Sequence, residues 1–252
     1  MARDSDVTWE HYGRENPYFG VLSDPKFVGQ DLDEETKLEF FTSGEEHVRH
    51  VLETIRRTVC SNFDPNSALD FGCGAGRLVI PFARSCSRVV GVDVSDGMLR
   101  EAAMNASSMG ADGVEFVKSD DELSRVTGSF DLVHSYIVLQ HIPTKRGYQI
   151  LDRLMGLISP GGVGALHVTF DSRITRAAQA KHLARLHVPG LHGAINVAKG
   201  RRFDAFPVMQ MNHYNLNRVM AQAVSLGCPA AHIEFTDHGS RLGAMIFFKR
   251  PA

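Results

Sequence analysis

The sequence predicts an α/β fold, a mostly parallel sheet of seven strands with helices on both faces, and three observations predict it. Short apolar runs alternate with helical patterns from about residue 67 to residue 168. Alternation of this kind implies parallel strands joined by right-handed crossovers. A glycine-rich turn, Asp70-Phe71-Gly72-Cys73-Gly74-Ala75-Gly76-Arg77, follows the first of these runs and leads into a helix. Near the end of the chain two more apolar runs flank the tight turn Asp237-His238-Gly239-Ser240, which makes that last pair of strands antiparallel.

Taken in order, residues 1 to about 42 carry Trp9, Tyr12, Tyr18 and Phe19 among many acids. The stretch from Glu15 to Leu22 reads as an ordered loop, because Pro17 and Gly20 interrupt a helix there. Ser43-Gly44-Glu45-Glu46 has the form of a capping box and predicts a helix start, with Val48, Val51, Leu52, Ile55 and Val59 on one face. Strand one runs from Ser67 to Phe71. The helix after the glycine turn spans about Leu78 to Ser85 and must start late enough to keep Pro81 in its first turn. Val89 to Val94 is strand two, apolar enough to be covered on both faces. Ser95 caps the next helix, buried through Met98, Leu99, Ala102, Ala103 and Ala106 and stopped at Gly110. Strands three and four are Val114 to Val117 and Phe130 to Tyr136, and Pro143 to Ile158 is a helix. Ser159-Pro160-Gly161-Gly162 stops it before strand five, Val163 to Val168. A helix from Leu216 to Leu226 precedes the final strands, His232 to Thr236 and Ala244 to Lys249.

A chain of 252 residues suits one domain with elaborations. Its parts are an N-terminal lid and helix (1–62), a core (63–170), an inserted cap (171–207) and the rest of the core (208–252). Hydrophobic content of 43% and charged content of 22% are those of a globular enzyme. A net charge of -2 gives no electrostatic case for DNA or an anionic membrane. Met1-Ala2-Arg3-Asp4-Ser5-Asp6 lacks an apolar leader and nowhere do 18 apolar residues run together, which reads as a cytoplasmic chain. Cys60, Cys73, Cys86 and Cys228 have no paired spacing, so neither a disulfide framework nor a metal site is expected. A homodimer is left open.

The spacing of the glycines narrows the ligand. A dinucleotide fingerprint counted from Gly72 needs its third glycine at position 77, where this chain has Arg77. The pattern present is Asp-x-Gly-x-Gly-x-Gly, and Asp93 ends the next strand. A carboxylate there can accept both hydroxyl protons of a ribose. Gly72, Gly74 and Gly76 leave backbone amides bare to a ligand.

This loop and Asp93 resemble the class I S-adenosylmethionine-dependent methyltransferases, with residues 44 to 170 covered closely and 208 to 250 in outline. The resemblance implies a Rossmann-like three-layer sandwich with a reversed last strand and S-adenosylmethionine as cofactor. Carried over residue by residue, it assigns the methionine end of the cofactor to the loop Asp70, Gly72, Cys73, Gly74, Gly76 and Arg77, and the ribose to Asp93. Val94 and Met98 would face the adenine. Asp120 or its neighbour Asp121 would accept from the adenine amino group, and Ser135 and Tyr136 would pass the sulfonium. The N-terminal aromatics, Tyr18 and Phe19 among them, would fold over the site as a lid or pack on the domain's flank.

Methyl transfer needs chiefly in-line positioning of the acceptor. A hydroxyl acceptor must also lose a proton, for which histidine is the usual base. His141 follows strand four and is either that base or a structural residue at the head of the next helix. His167 in strand five, His213 and Tyr214 before the following helix, and Tyr136 are further candidates at the same mouth. His238 is read as shaping its turn. From Ser172 to Phe203 the chain holds seven Arg or Lys and no acid, which leaves the remainder with 20 basic against 29 acidic residues. Arg201 and Arg202 in this segment are candidates to grip an anionic acceptor, or else face water and the acidic N-terminal segment.

These readings point to O-methylation of a small molecule, anionic or sugar-linked. An RNA- or protein-directed methyltransferase and a non-catalytic cofactor-binding protein are the alternatives. Against RNA, His134-Ser135-Tyr136-Ile137 lacks the Asn- or Asp-Pro-Pro-aromatic motif of enzymes that methylate base amines.

Overall fold

The structure is a computed structural model that describes residues 5–252. Met1 to Asp4, part of the stretch read above as lacking a leader, lie outside the described residues. The strands are β1 (Ser67–Phe71), β2 (Arg88–Asp93), β3 (Val114–Lys118), β4 (Phe130–Ser135), β5 (Ile158–Ser172), β6 (Ala231–Asp237) and β7 (Arg241–Lys249). They form one sheet in the order β3-β2-β1-β4-β5-β7-β6. The first five are parallel, and β7 runs antiparallel to both β5 and β6. Strand order reverses between β1 and β4, so a crevice opens beyond their carboxyl ends.

β7 decides what else reaches that crevice. Because it is reversed, it starts at the edge where β5 ends, with Arg241 opposite Ser172 and Leu242 opposite Asp171. The β6–β7 turn, which holds His238, therefore sits at the mouth rather than at the far edge.

Helices cover both faces. The chain enters through α1 (Ser5–Glu15), α2 (Pro17–Val21) and the long α3 (Glu34–Thr58). Between the core strands lie α4 (Val79–Ala83), α5 (Asp96–Ser108) and α6 (Thr144–Gly156). After β5 come α7 (Arg176–His187), α8 (Leu191–Ala198) and α9 (Leu216–Ser225). One core layer packs α6 and α9 on the sheet through Leu151, Leu154, Val219 and Ala223. The opposite layer packs α3 and α4 through Val51, Leu52, Ile55 and Phe82. Each such buried side chain contributes roughly 1.5–3 kcal/mol. A third cluster of Tyr18, Phe27, Phe40, Phe41 and Ile80 fastens the N-terminal helices to the core.

Three local expectations are corrected. The stretch read as a loop before residue 42 is helical: Pro17 opens α2, where its missing N–H is no loss. The helix expected to start at Ser43 begins nine residues earlier, at Glu34, where Asp33 Oδ1 accepts from Thr36 N (2.8 Å). Ser43 instead donates to the Phe40 carbonyl inside the helix (2.6 Å), and Gly44 lies against the Arg77 main chain with no room for a Cβ. What resembles a helix start is a crossing point. Lastly, Ser159-Pro160-Gly161-Gly162 lies within β5, where a register irregularity against β4 absorbs it.

The cap from 171 to 207 is mostly two helices, and α7 buries none of its residues. Among the described residues no helix is long and apolar enough to cross a membrane, and no cluster of His, Cys, Asp and Glu is arranged to hold a metal ion.

Candidate active site

An inner cavity of about 400 Å³ runs along the carboxyl edge of the sheet, from Asp93 and Ser119 past the glycine turn to Tyr136 and His238. A wider, more polar cavity of about 1030 Å³ adjoins it and shares Asp6, Val94, Ser119, Asp121 and Arg146 with it.

The glycine turn forms the floor. Gly72, Gly74 and Gly76 all have positive φ (77°, 53° and 87°), a region open to glycine without strain. Their amides are not bare, however. Gly72 N and Cys73 N donate to the Val92 carbonyl (2.7 and 3.0 Å), Gly74 N to Asp93 Oδ2 (3.0 Å), and Gly76 N to the Cys73 carbonyl (3.0 Å). What glycine supplies here is clearance: a Cβ on Gly72 would run into Val138, and one on Gly74 into Val21. Cys73 is buried and free, and burial drives its thiol well up, so it is inert as a nucleophile.

Asp93 and Arg77 are two of the charged groups lining this cavity. Asp93 also accepts from Ser95 N (2.9 Å). Burial raises its carboxyl to about 6, against the lowering effect of the Ser95, Gly74 and Val94 amides. The acceptor capacity left beside these three amides is available to hydroxyl donors. Arg77 is 7% exposed. Its Nη1 donates to Ser43 Oγ (3.3 Å), while its Nε is buried without a partner. An incompletely paired buried guanidinium on a cavity wall fits the carboxylate of an amino-acid ligand.

Behind the floor runs a chain missing from the sequence reading. His134 donates from Nδ1 to Asp70 Oδ1 (2.7 Å), and its Nε2 accepts from His47 Nε2 (3.1 Å). Burial and the neighbouring His134 push His47 down to about 2, so its imidazole is neutral. The chain fixes the rotamer of Asp70, which lines the cavity. His134 lies opposite Asp70 in the β1–β4 register, and nothing in the sequence pairs it with His47 from α3.

The remaining assigned residues divide. Val94, Met98, Asp121 and Tyr136 line the inner cavity. Asp120 faces only the outer one, with its carboxylate accepting from Ser124 N and Oγ (2.9 and 2.5 Å), while Asp121 is gripped by Arg146 (2.6 Å). Ser135 turns away and donates to the Phe71 carbonyl (3.0 Å). Gly76 packs against Ala102.

His141 lines the cavity with both ring nitrogens engaged. Nδ1–H donates to the Gln210 carbonyl (2.8 Å) and Nε2 accepts from Gln140 Nε2 (3.1 Å), whose Oε1 accepts from Thr169 Oγ1 (2.5 Å). Burial pushes its imidazole down to about 4. His167 is buried beside Thr236 Oγ1 (2.8 Å), behind Tyr136, and His213 contacts Arg241 Nη1 (3.4 Å); neither lines the cavity.

The substrate candidates are not brought to the inner cavity. Tyr18 is buried, and its hydroxyl reaches Glu101 Oε1 (2.6 Å) on α5; Phe19 packs edge-on to Phe206. Tyr214 donates to the Ile142 carbonyl (3.0 Å) and meets Tyr148 edge-on. Arg201 lies over the Phe206 ring and Arg202 pairs with Glu15 (3.1 Å) and Asp204 (3.2 Å). Of the two readings of this pair, the geometry matches charges turned to the N-terminal segment. Trp9, Met209 and Met211 line the cavity in their place, and Trp9 packs edge-on to His141 at 4.9 Å. Only Trp9 carried a signal, as an aromatic in a segment with apolar surface to bury.

A family model described as a methyltransferase domain matches residues 68–162, the stretch from β1 to the bulge of β5. Over this stretch the chain carries a methyltransferase domain of the class I S-adenosylmethionine-dependent kind. A ubiquinone biosynthesis O-methyltransferase of Caulobacter vibrioides is 28% identical to it over 169 residues, 62% of this chain and 66% of that protein. The chain thus spans about half to two thirds of the length of the first such relatives. Among solved structures, magnesium protoporphyrin IX methyltransferase from Synechocystis PCC 6803, with S-adenosylhomocysteine bound, superposes at a TM-score of 0.63 with 19% identity, covering 98% of this chain and all of that one. The N-methyltransferase NodS from Bradyrhizobium japonicum does so at 0.61 with 13% identity, covering 99% and 100%. At these identities the two superpositions speak for the shared fold.

Proposed function

We propose that this methyltransferase moves the methyl group of S-adenosylmethionine to a hydroxyl oxygen of a small, largely apolar acceptor. The observation that carries this is the inner cavity, with a carboxylate at the end of β2, an incompletely paired arginine beside the glycine turn, and Tyr136 just beyond β4. Asp93 would hold the ribose hydroxyls, Val94 and Met98 the adenine, and Arg77 the methionine carboxylate. The cofactor supplies the electrophilic methyl group; the protein's task is to orient the acceptor in line with it and keep water out.

The acceptor end argues for an apolar molecule. Trp9, Ile142, Met209 and Met211 give it a flat, adaptable wall, and the arginines of the cap lie outside it. O-methyltransferases among the relatives favour a hydroxyl over an amine as the target atom.

Calorimetry with S-adenosylhomocysteine tests the reading. The wild-type chain binds it, and Arg77→Met weakens binding about 10- to 100-fold, the value of a lost charge-assisted pair. The same substitution raises the unfolding midpoint of the free chain, because it removes a buried charge that lacks a full set of partners. A chain that ignores S-adenosylhomocysteine, or an Arg77→Met variant that binds it equally well, overturns the assignment.

A further inference from the structure

Methyl transfer to a hydroxyl releases a proton, and the acceptor end of the cavity, walled by Trp9, Ile142, Met209 and Met211, needs a defined place to put it. Among the described residues two histidines line the inner cavity, His141 and His238. The ring of His141 has no lone pair left, since Gln140 donates to Nε2 and Nδ1 carries the hydrogen given to Gln210. His238 differs on each count. Its Nε2 lies 3.4 Å from the Tyr136 hydroxyl, a long hydrogen bond of the kind that tightens when a ligand fills the site. Its turn is exposed at Asp237 and Gly239, so a proton has an exit to water.

Tyr136 is held firmly for this contact. It stacks on His47 at 4.1 Å, meets His167 edge-on at 5.2 Å, and faces the positive charge of Arg77. The next residue, Ile137, has φ of 60° and also lines the cavity. A β-branched side chain in the left-handed region is strained by about 1–3 kcal/mol, and such strain gathers at functional sites. The turn at Ile137, kept in place by its surroundings, sets both Tyr136 and Ile137 on the cavity wall.

We infer that Tyr136 and His238 form the pair that takes the acceptor's proton, with Tyr136 touching the acceptor hydroxyl and His238 receiving the charge. This rests on the methyl-transfer reading above. The acceptor's O–H bond breaks as its oxygen bonds the methyl carbon, and the S–C electron pair returns to sulfur. Tyr136 Oη takes that proton while its own passes to His238 Nε2. The imidazolium then loses its Nδ1 proton to water at the hairpin. Tyr136 from β4, His167 from β5 and Asp237 on the hairpin face the His238 ring. Burial outweighs Asp237 and keeps the resting ring neutral.

Two phenols separate this pair from a structural role: phenol itself, which must be deprotonated, and 4-nitrophenol, largely ionised in mildly alkaline buffer without help. His238→Gln and Tyr136→Phe lower methylation of phenol about 100- to 10,000-fold, flatten the acid limb of its pH profile, and leave 4-nitrophenol within about threefold. The unfolding midpoint stays at the wild-type value in both variants, which reports on folding. Independently of turnover, the His238 ring titrates higher by NMR in Tyr136→Phe, because a donor to its neutral form is gone. Equal losses on both phenols, no loss on either, or an unmoved His238 titration overturns the pair. So does a wild-type chain that binds S-adenosylhomocysteine yet methylates neither phenol, whereas failure to bind S-adenosylhomocysteine brings down the reading beneath it.

Discussion

Asp93 carries two opposing demands. In the role proposed above it must be ionised to accept from a ribose, yet it sits half-buried at the cavity, and desolvation raises its carboxyl from 3.8 to about 6. The sign of each consequence follows. Between these two values the folded chain holds the proton that the unfolded chain has released, so acidification through this window stabilises the free protein through this group. Ligand affinity moves the other way, since a protonated carboxyl loses acceptor capacity. S-Adenosylhomocysteine binding is therefore expected to weaken as pH falls through about 6, and Asp93→Asn to bind weakly with that dependence gone; calorimetry across this range reads both. Asp93 is legible in sequence because a strand end and a glycine turn locate it. His238 is not, because its place at the cavity depends on the reversal of β7 and on a contact with β4 a hundred residues away.

At the scale of elements, the crossing of α3 over the turn after Gly76 shows how one residue type serves two purposes. Glycine in the middle of a helix is ordinarily a loss of about 1 kcal/mol against alanine. At Gly44 the Arg77 main chain occupies the space a methyl group would need. Gly44→Ala is accordingly expected to lower unfolding free energy by about 1–3 kcal/mol, opposite in sign to the helix-propensity effect; urea titration checks it. Displacing Arg77 also weakens S-adenosylhomocysteine binding. The same glycine explains why the helix start was misplaced. Ser43, Gly44 and Glu46 have the local chemistry of an N-terminus, and only the packing partner reveals them as interior. Strand spans were easier to read. Central strands buried on both faces are apolar throughout, so β1, β2 and β4 follow from their runs, whereas β5 extends past its run through Ser159-Pro160-Gly161-Gly162.

Over the whole molecule, charge is unevenly distributed, with seven basic residues and no acid from Ser172 to Phe203. The fold sets that segment outside the sheet's edge, where Arg202 meets Glu15 and Arg173 meets Asp237. Exposed pairs of this kind are worth about 0–1 kcal/mol. Arg201→Ala with Arg202→Ala should then leave kcat/KM for phenol within about twofold; a larger loss would place the cap's charge in the acceptor's path. The cap acts on the site by delivering the chain that follows it, which places Met209 and Met211 on the cavity wall. Neither methionine lies in a periodic pattern, so no local signal marks them.

The sequence by itself determined the α/β order, the parallel core, the reversed last strand and the glycine turn with Asp93 at the end of the next strand, because each rests on spacing along a single stretch of chain. Tertiary structure alone decided that Arg77 lacks a full set of partners, that His141 is closed on both nitrogens, and that His238 meets Tyr136. Those facts depend on which distant segments share a wall, and hydrogen-bond saturation and burial exist only once the chain has closed on itself.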